Sequence, residues 1–322
     1  MSHAWKFSPT PEDAYLEWVA KRRLTFSSPD WAGVLAKLGA EVFFAWNDNE
    51  KRGLLVPVFR QFGLKIGFLG FPVANGPTEF CSVSKIKIVA DEASRTLRLN
   101  LVRATRVRSV VKDQLAVSGR PEAWLKNLQE WAPTSKRLRK DLGFARRATS
   151  KCRIEIGGAY AEACFTLYKE TVASRGGKLR YTLPYFQALE DLSIKTNDVT
   201  VLVCIDDDNS LCGFATLVLD GGVGHYLHGA ASLNGRQKGV SDLLIEQLVE
   251  ISTNAGCSMF TMMSSPWEQE GLKKFKEKWS DSSGLTLTYD LPHGLFGKAI
   301  KAYSSWQSRA DRINSIEWIS NA

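Results

Sequence analysis

Residues 236–241 read Arg-Gln-Lys-Gly-Val-Ser and run straight into "DLLIEQLVEIS" (242–252). Two cations flank a glycine just where apolar residues begin to recur at helical spacing. The first N–H groups of a helix lack intrahelical partners and lie at the positive end of its dipole. A loop without bulky side chains lets a pyrophosphate approach those groups, and Arg236 and Lys238 can add charge-assisted contacts. Gln237, Gly239, Val240 and Ser241 complete this candidate anion cradle. The plainer alternative is a basic loop in which Ser241 or Asp242 caps an ordinary helix.

Other residues of chemical interest surround this stretch. His228 lies on the apolar run that leads into it, and His225 stands three positions earlier. In a regular strand that spacing puts the two imidazoles on opposite faces and argues against a His–His metal pair. Arg175 precedes Gly176-Gly177, a loop that either takes an anionic ligand or is an ordinary turn. Lys276 sits among Lys273, Lys274 and Lys278, where a solvated helix face is the alternative to a reactive amine. Tyr185 and Tyr226 are of types that more often pack than react. The stripe Arg137, Arg139, Lys140, Arg146, Arg147 and Lys151 can follow RNA phosphates or simply face water, and the solvated face is preferred.

The elements that must position these residues follow from patterning. The 322 residues suit one large domain or two ordinary ones, and 44% hydrophobic against 24% charged residues supports a folded core. The net charge of +8 favours anionic partners without specifying one. Six cysteines, with no Cys-x-x-Cys pair, read as reduced, packed thiols of a cytoplasmic protein, so no disulfide framework and no metal are expected. The N-terminal residues carry no apolar core of signal-peptide length, and no run of ~18 apolar residues predicts a membrane span.

Two stretches predict matching three-strand meanders. "FFAWNDNEKRGLLVPVFRQFGLKIGFLG" precedes "FPVANG", and "VLVCIDDDNSLCGFATLVLDGGVGHYLHG" precedes "AASLNG". Each ends five residues before an Asn-Gly-bearing turn reaches its glycine by one further step, at Asn75-Gly76 and Asn234-Gly235, so the chain reads as a duplication offset by about 160 residues. The first copy has "NGPTEF" where the second has "NGRQKGVS", so only the second carries basic charge and glycine spacing. Between the copies, Pro121 is expected to open a helix with Trp124, Leu128 and Trp131 on one stripe, and Ser135 to cap another. This predicts a domain over 1–120, a helical connector over 121–155 and a second domain over 156–322. In the second copy, helices are expected at "AEACFTLYKETVAS", "PYFQALEDLSIK" and "EQEGLKKFKEKW", and strands at "CSMFTMM" and "LTLTYDL".

Residues 236–241 approximate the R/Q-x-x-G-x-G/A pattern of the GNAT acyltransferases, with Ser241 in the last Gly/Ala position. "LYKETVASRGGKLRYTLPYF", "YLHGAAS", "EGLKKFKEKW" and "ANGPT" occur in an order that resembles the Fem/GNAT-like superfamily. That group includes the FemABX peptidoglycan aminoacyltransferases and the CelD-like acyltransferase-domain proteins. The resemblance covers roughly residues 42–279. It implies an α/β (α+β) fold of tandem GNAT-like domains, the first degenerate, with mixed, mostly antiparallel sheets flanked by helices. An Asp-Phe-Gly-like element of the family is absent before the Phe-Lys helix, where this chain has "TMMSSPW".

The implied activity is N-acyl transfer from acetyl-CoA or another acyl-CoA to an amine. The expected acceptor is a small, anionic molecule such as a sugar nucleotide or cell-envelope precursor. By the resemblance, residues 236–241 hold the donor pyrophosphate. Phe275 and Lys276 match the Phe-Lys element, Arg175 and Arg180 the acceptor-side loop, Tyr185 the Tyr-Phe that follows it and Tyr226 the strand tyrosine. Acyl transfer needs oxyanion stabilisation and a proton acceptor. His228 is the titratable candidate for that base, with Lys276 and Tyr226 as further catalytic candidates. Two other readings stay open: a tRNA-dependent aminoacyltransferase, and an inactive binding or scaffold protein.

Overall fold

The structure is a computed structural model, and it describes residues 5–61, 63–70, 83–108, 118–133, 135–177 and 179–307. The expected Asn75-Gly76 turn, Cys81 and residues 308–322 lie outside the described residues. In chain order the elements are β1 (Lys6–Ser8), α1 (Asp13–Arg22), α2 (Pro29–Ala36), β2 (Glu41–Asn47), β3 (Arg52–Gln61), β4 (Leu64–Leu69), α3 (Val83–Leu97), β5 (Leu101–Arg108) and β6 (Ser118–Lys126). They continue with α4 (Lys136–Ala148), β7 (Arg153–Ile156), α5 (Ala161–Ala173), α6 (Leu183–Lys195), β8 (Val199–Ile205), β9 (Leu211–Asp220) and β10 (Val223–Ala231). The last are α7 (Leu233–Gln237), α8 (Val240–Asn254), β11 (Met259–Ser264), α9 (Glu270–Lys278), β12 (Ser282–Pro292) and α10 (Gly294–Gln307).

The chain divides into two compact units. One comprises residues 1–122, 264–274 and 283–322, and the other residues 123–263 and 275–282. In the first, the strand order is β1-β2-β3-β4-β5-β12. The pairings from β1 to β4 are antiparallel, and β4 pairs β5 in parallel. In the second, the order is β7-β8-β9-β10-β11-β6. The pairings from β7 to β10 are antiparallel, and β10 pairs β11 in parallel. Each parallel pair is linked through helices, as a parallel crossover requires. The shared order is the duplication expected from the sequence: two α/β units of like strand topology.

Each unit has its own core. In the first, α3 packs Ile86, Val89, Ala90 and Ala93 over Leu54, Val56 and Val102. Arg103 donates both Nε and Nη2 to the buried carboxylate of Asp290, at 2.7 and 2.8 Å. In the second, Val240, Leu244, Leu248 and Val249 of α8 pack on Leu202, Cys204, Ala215 and Leu217. β8 is buried at every position because both of its faces are covered, which explains its unbroken run of apolar residues.

One expectation is overturned. Pro121 opens no helix: Ser118–Lys126 are strand β6, and Leu128–Glu130 form a single 3₁₀ turn. Ala123, Trp124 and Leu125 are consecutively buried, as in a strand covered on both sides rather than a one-faced helix. The Trp124–Leu128 spacing therefore reflects a strand running into a turn. The second expected helix is present as α4, and Ser135 Oγ accepts from Leu138 N at 3.0 Å as its cap.

Two glycines should respond oppositely to alanine. A Cβ at Gly235 would collide with the carbonyl oxygen of Cys212, on which α7 sits. Gly143 lies inside α4, where its Cβ would meet nothing nearer than Arg147 Nη1 at 3.6 Å. In urea denaturation, Gly235→Ala should lose ~2–3 kcal/mol, as overpacking against rigid backbone does. Gly143→Ala should gain ~0.5–1 kcal/mol from helix propensity. Equal effects would contradict this packing.

Candidate functional site

In the second unit, β10 and β11 pair only over Val223–His225. From Tyr226 to Ala231, β10 continues its ladder with β9, and among the described residues β11 does not pair with it there. The ladder with β9 shifts between Tyr226 and His228, leaving Leu227 as an extra residue. Bulges of this kind re-aim side chains and disrupt a ladder locally. Here the extra residue also corrects an expectation. His225 pairs with Val218 and His228 with Thr216, so the register puts both histidines on the same face of the sheet. The three-residue spacing had implied opposite faces. Its premise of a regular strand fails at Leu227.

That face carries an aromatic pocket built by α5 and α6. Tyr185 Oη and His228 Nε2 share a hydrogen bond of 2.7 Å. The Tyr181 ring stacks on Tyr185 at 4.7 Å and meets His228 edge-on at 4.4 Å. Tyr168 lies 5.9 Å from Tyr181 and 5.4 Å from Phe186, which also packs against Phe214 of β9. Burial lowers the His228 pKa to about 3 and raises that of Tyr185 well above its ordinary value, so a neutral imidazole meets a neutral phenol. Burial also raises Tyr181 to about 12, with Arg180 pulling the other way. Tyr226 is raised to about 12 by burial and opposed by the Arg175 charge. The α5–α6 loop leaves both arginines exposed, and the Arg180 N–H donates to Tyr168 Oη at 3.1 Å. Arg175, Arg180, Tyr185 and His228 thus lie on one side of the sheet, whereas Tyr226 pairs with Leu217 and packs against the α8 core on the other face, within reach of the Arg175 charge. Sequence reading missed Tyr168, Tyr181 and Phe186. The recurrence of aromatics three or four apart on either side of the Arg-Gly-Gly loop was the available signal.

The basic loop is more structured than its sequence suggests. Leu233–Gln237 are helical, capped by Ser232 Oγ accepting from Gly235 N at 3.0 Å. Gly239 has φ +73 and is the N-cap of α8. A Cβ there would meet Ala145 Cβ of α4 at 3.0 Å. Lys238 Nζ lies 2.5 Å from Asp206 Oδ2, and Asn234 Nδ2 donates to the same oxygen at 2.9 Å. Lys238, first among several partners, holds the Asp206 carboxyl well below its ordinary range. Val240 is buried, Ser241 half-buried, and Arg236 and Gln237 are exposed. Among the described residues no hydrogen bond or ion pair engages the Arg236 guanidinium.

Asp242 places a carboxylate in the first turn of α8, where it complements the helix dipole. It accepts from Trp279 Nε1 at 2.9 Å and pairs with Lys278 Nζ at 2.7 Å. Lys278 also reaches Asp141 at 3.0 Å and lies 5.4 Å above the Phe275 ring. Phe275 packs against the core. Lys276 is buried, and its Nζ donates to the carbonyl of Met263 at 3.0 Å. Met263 has φ +59, a conformation costly for an L-residue, so the ammonium ties down the end of β11 where it leaves the sheet. Among the described residues no helix is long and apolar enough to cross a membrane.

No protein-family model matches the sequence, and no curated protein matches it. Solved structures do match. FemX aligns with a TM-score of 0.65 at 11% identity, over 93% of this chain and 100% of that one. The C-terminal domain of a putative lysylphosphatidylglycerol synthetase from Agrobacterium fabrum aligns at 0.53 and 13%, over 91% and 95%. A tandem GNAT protein from the clavulanic acid biosynthesis pathway aligns at 0.51 and 10%, over 89% and 98%. The chain therefore has the Fem/GNAT-like acyltransferase fold.

The Tyr185–His228 pair predicts a pH signature. An unfolded histidine takes up a proton near pH ~6.5, whereas folded His228 does so only near pH 3. Between those values the unfolded chain binds more protons. The stability tied to a neutral His228 is therefore present above pH ~6.5 and is lost as pH falls toward 3. Melting temperatures of wild-type and His228→Gln protein should converge as the pH is lowered from 7 to 4. A constant difference across that range would mean that His228 titrates alike in both states.

Proposed function

We propose that the chain is an N-acyltransferase whose reaction occupies the second unit, where β10 and β11 part. The observation that carries this reading is the bulge at Leu227 beside the part-buried Tyr185–His228 pair, on a β10 edge that β11 does not pair with among the described residues. An extended donor can pair with such an edge through its own amides. Backbone N–H groups on that edge are preorganised donors for the oxyanion that forms when an amine attacks the carbonyl. The tetrahedral intermediate then collapses with expulsion of the donor's leaving group, and the proton lost by the amine passes to solvent water.

The side chains divide the remaining work. Tyr226, with its pKa near 12, is protonated at neutral pH and is suited to give a proton to a leaving thiolate. His228, with a pKa near 3, is a weak proton acceptor and better suited to fixing Tyr185 and Tyr181 as a wall of the acceptor pocket. Lys276 is best read as a positioning residue acting on β11 through Met263, and Phe275 as its packing anchor. Exposed Arg175 and Arg180 fit an anionic acceptor, such as a sugar nucleotide or cell-envelope precursor carrying an amine.

The first donor to test is acetyl-CoA, held by its pyrophosphate at the start of α8 with Arg236, Gln237 and Ser241 on the open side. A specific observation favours aminoacyl-tRNA as the second. Lys238 is engaged by Asp206, and Asp242 brings negative charge to the same helix end, both unhelpful to a pyrophosphate. Lys136, Arg137, Lys140 and Arg147 of α4 are exposed and could meet RNA phosphates.

Calorimetric titration distinguishes the donors. Acetyl-CoA and free CoA should bind saturably, and Arg236→Glu should weaken both at least ~10-fold, about 1.4 kcal/mol. This variant is preferable to any change at Gly239, whose φ and contact with Ala145 make substitution a structural perturbation. No CoA binding, together with salt-sensitive binding of aminoacyl-tRNA, would transfer the assignment to the tRNA-dependent reading. No binding of either donor would contradict the proposal.

A further inference from the structure

Away from the aromatic pocket, three segments of the second unit converge on two sulfurs and a carboxylate. Cys152 lies in the turn between α4 and β7, its N–H donating to Thr149 O at 2.8 Å. Asp206 begins the β8–β9 turn, and Cys212 is the second residue of β9. Cys152 Sγ is 3.7 Å from Asp206 Oδ1, and Cys212 Sγ is 3.6 Å from Asp206 Oδ2. The two sulfurs and a carboxylate oxygen all lie within 4.8 Å of one another. A tetrahedral zinc centre with Zn–S near ~2.3 Å and Zn–O near ~2.0 Å has S···O edges of ~3.5 Å. The two S···O separations, one to each oxygen of the Asp206 carboxylate, are close to that edge length before any ion is bound.

We propose that Cys152, Cys212 and Asp206 form a binding site for one thiophilic divalent cation, with Zn²⁺ as the natural occupant. The expectation of no metal rested on the absence of a Cys-x-x-Cys pair. Here the ligands come from separate segments, which spacing along the chain cannot reveal.

The surroundings supply what such a site requires. Asp206 Oδ2 is held by Lys238 Nζ at 2.5 Å and Asn234 Nδ2 at 2.9 Å, which leaves Oδ1 to face Cys152. Partners of this kind orient a ligating carboxylate. Binding breaks two S–H bonds, forms two metal–sulfur bonds and releases two protons to solvent. Two thiolates, one carboxylate, the divalent ion and the Lys238 ammonium are together neutral, so the filled cluster buries no net charge. Cys212 and Asp206 are buried while Cys152 is half-buried, so an ion and a completing water can arrive on the Cys152 side. The bound ion would clamp the α4–β7 turn to the β8–β9 turn and, through Lys238 and Asn234, to α7 ahead of α8.

The test is titration of the reduced, metal-free, full-length protein with Co²⁺, a spectroscopic stand-in for Zn²⁺. One Co²⁺ per chain should appear, with thiolate-to-cobalt charge-transfer bands and the ligand-field bands of a tetrahedral centre, and Zn²⁺ should displace it. Cys152→Ser should weaken binding at least ~100-fold, and Lys238→Met, which removes only an outer partner, ~10–100-fold. Cys212→Ser provides a second ligand variant, and melting curves without metal identify any variant that has failed to fold. Bands of equal strength in folded Cys152→Ser, or none in the wild type, would overturn the site. A Cys152–Cys212 disulfide that persists in a glutathione buffer of cytosolic poise would also overturn it.

Discussion

β10 is held to β11 for three residue pairs and then released. A strand edge left without a partner exposes N–H and C=O groups that seek hydrogen bonds, so the surrounding structure must either cover that edge or use it. Much of the second unit serves to maintain the parting. Leu227 adds the residue that shifts the ladder with β9. Lys276 secures the left-handed turn at Met263, where β11 ends. Tyr185 and His228 fix the face of β10 beyond the bulge through one hydrogen bond and a set of edge-to-face ring contacts.

The second unit also reinforces the helix that follows β10. Asp242 receives Trp279 and Lys278, while Lys278 bridges to Asp141 of α4. Trp279 is buried and stacks on Trp131 at 6.0 Å. Asp242 and Lys278 keep little exposure, and polar groups so placed are stable only when each has a partner, as these do. The start of α8 is consequently rigid, and much of its electrostatic demand is met from within the protein. This bears on donor choice. A helix end that already carries a carboxylate and a tethered lysine offers a pyrophosphate less than the bare sequence promises.

Much of this was legible in the sequence, for physical reasons that can be named. β8, β9 and β10 are apolar runs separated by Asp- and Gly-rich turns, and α8 shows a packing face at helical spacing. The duplication could be read because both copies punctuate their strands with glycine at similar intervals. What escaped depends on tertiary partners. Pro121–Lys126 became a strand because β11 lies beside it in the sheet, a partner that the local sequence does not reveal. Nothing local marks Leu227 as a bulge. Lys238 could not be known to be engaged, since Asp206 lies 32 residues away in the chain. Cys152 lies 54 residues from that carboxylate, which hid its convergence there with Cys212.

The central claim is that the unpaired edge of β10 receives the donor. The measurement that addresses it most directly is hydrogen–deuterium exchange of the full chain with and without a saturating donor, using acetyl-CoA and aminoacyl-tRNA in turn. The account predicts that one of them slows exchange in peptides covering Tyr226–Ala231, with smaller changes on the face of β10 paired to β9. Donor binding that protects other segments while leaving Tyr226–Ala231 unchanged would contradict it.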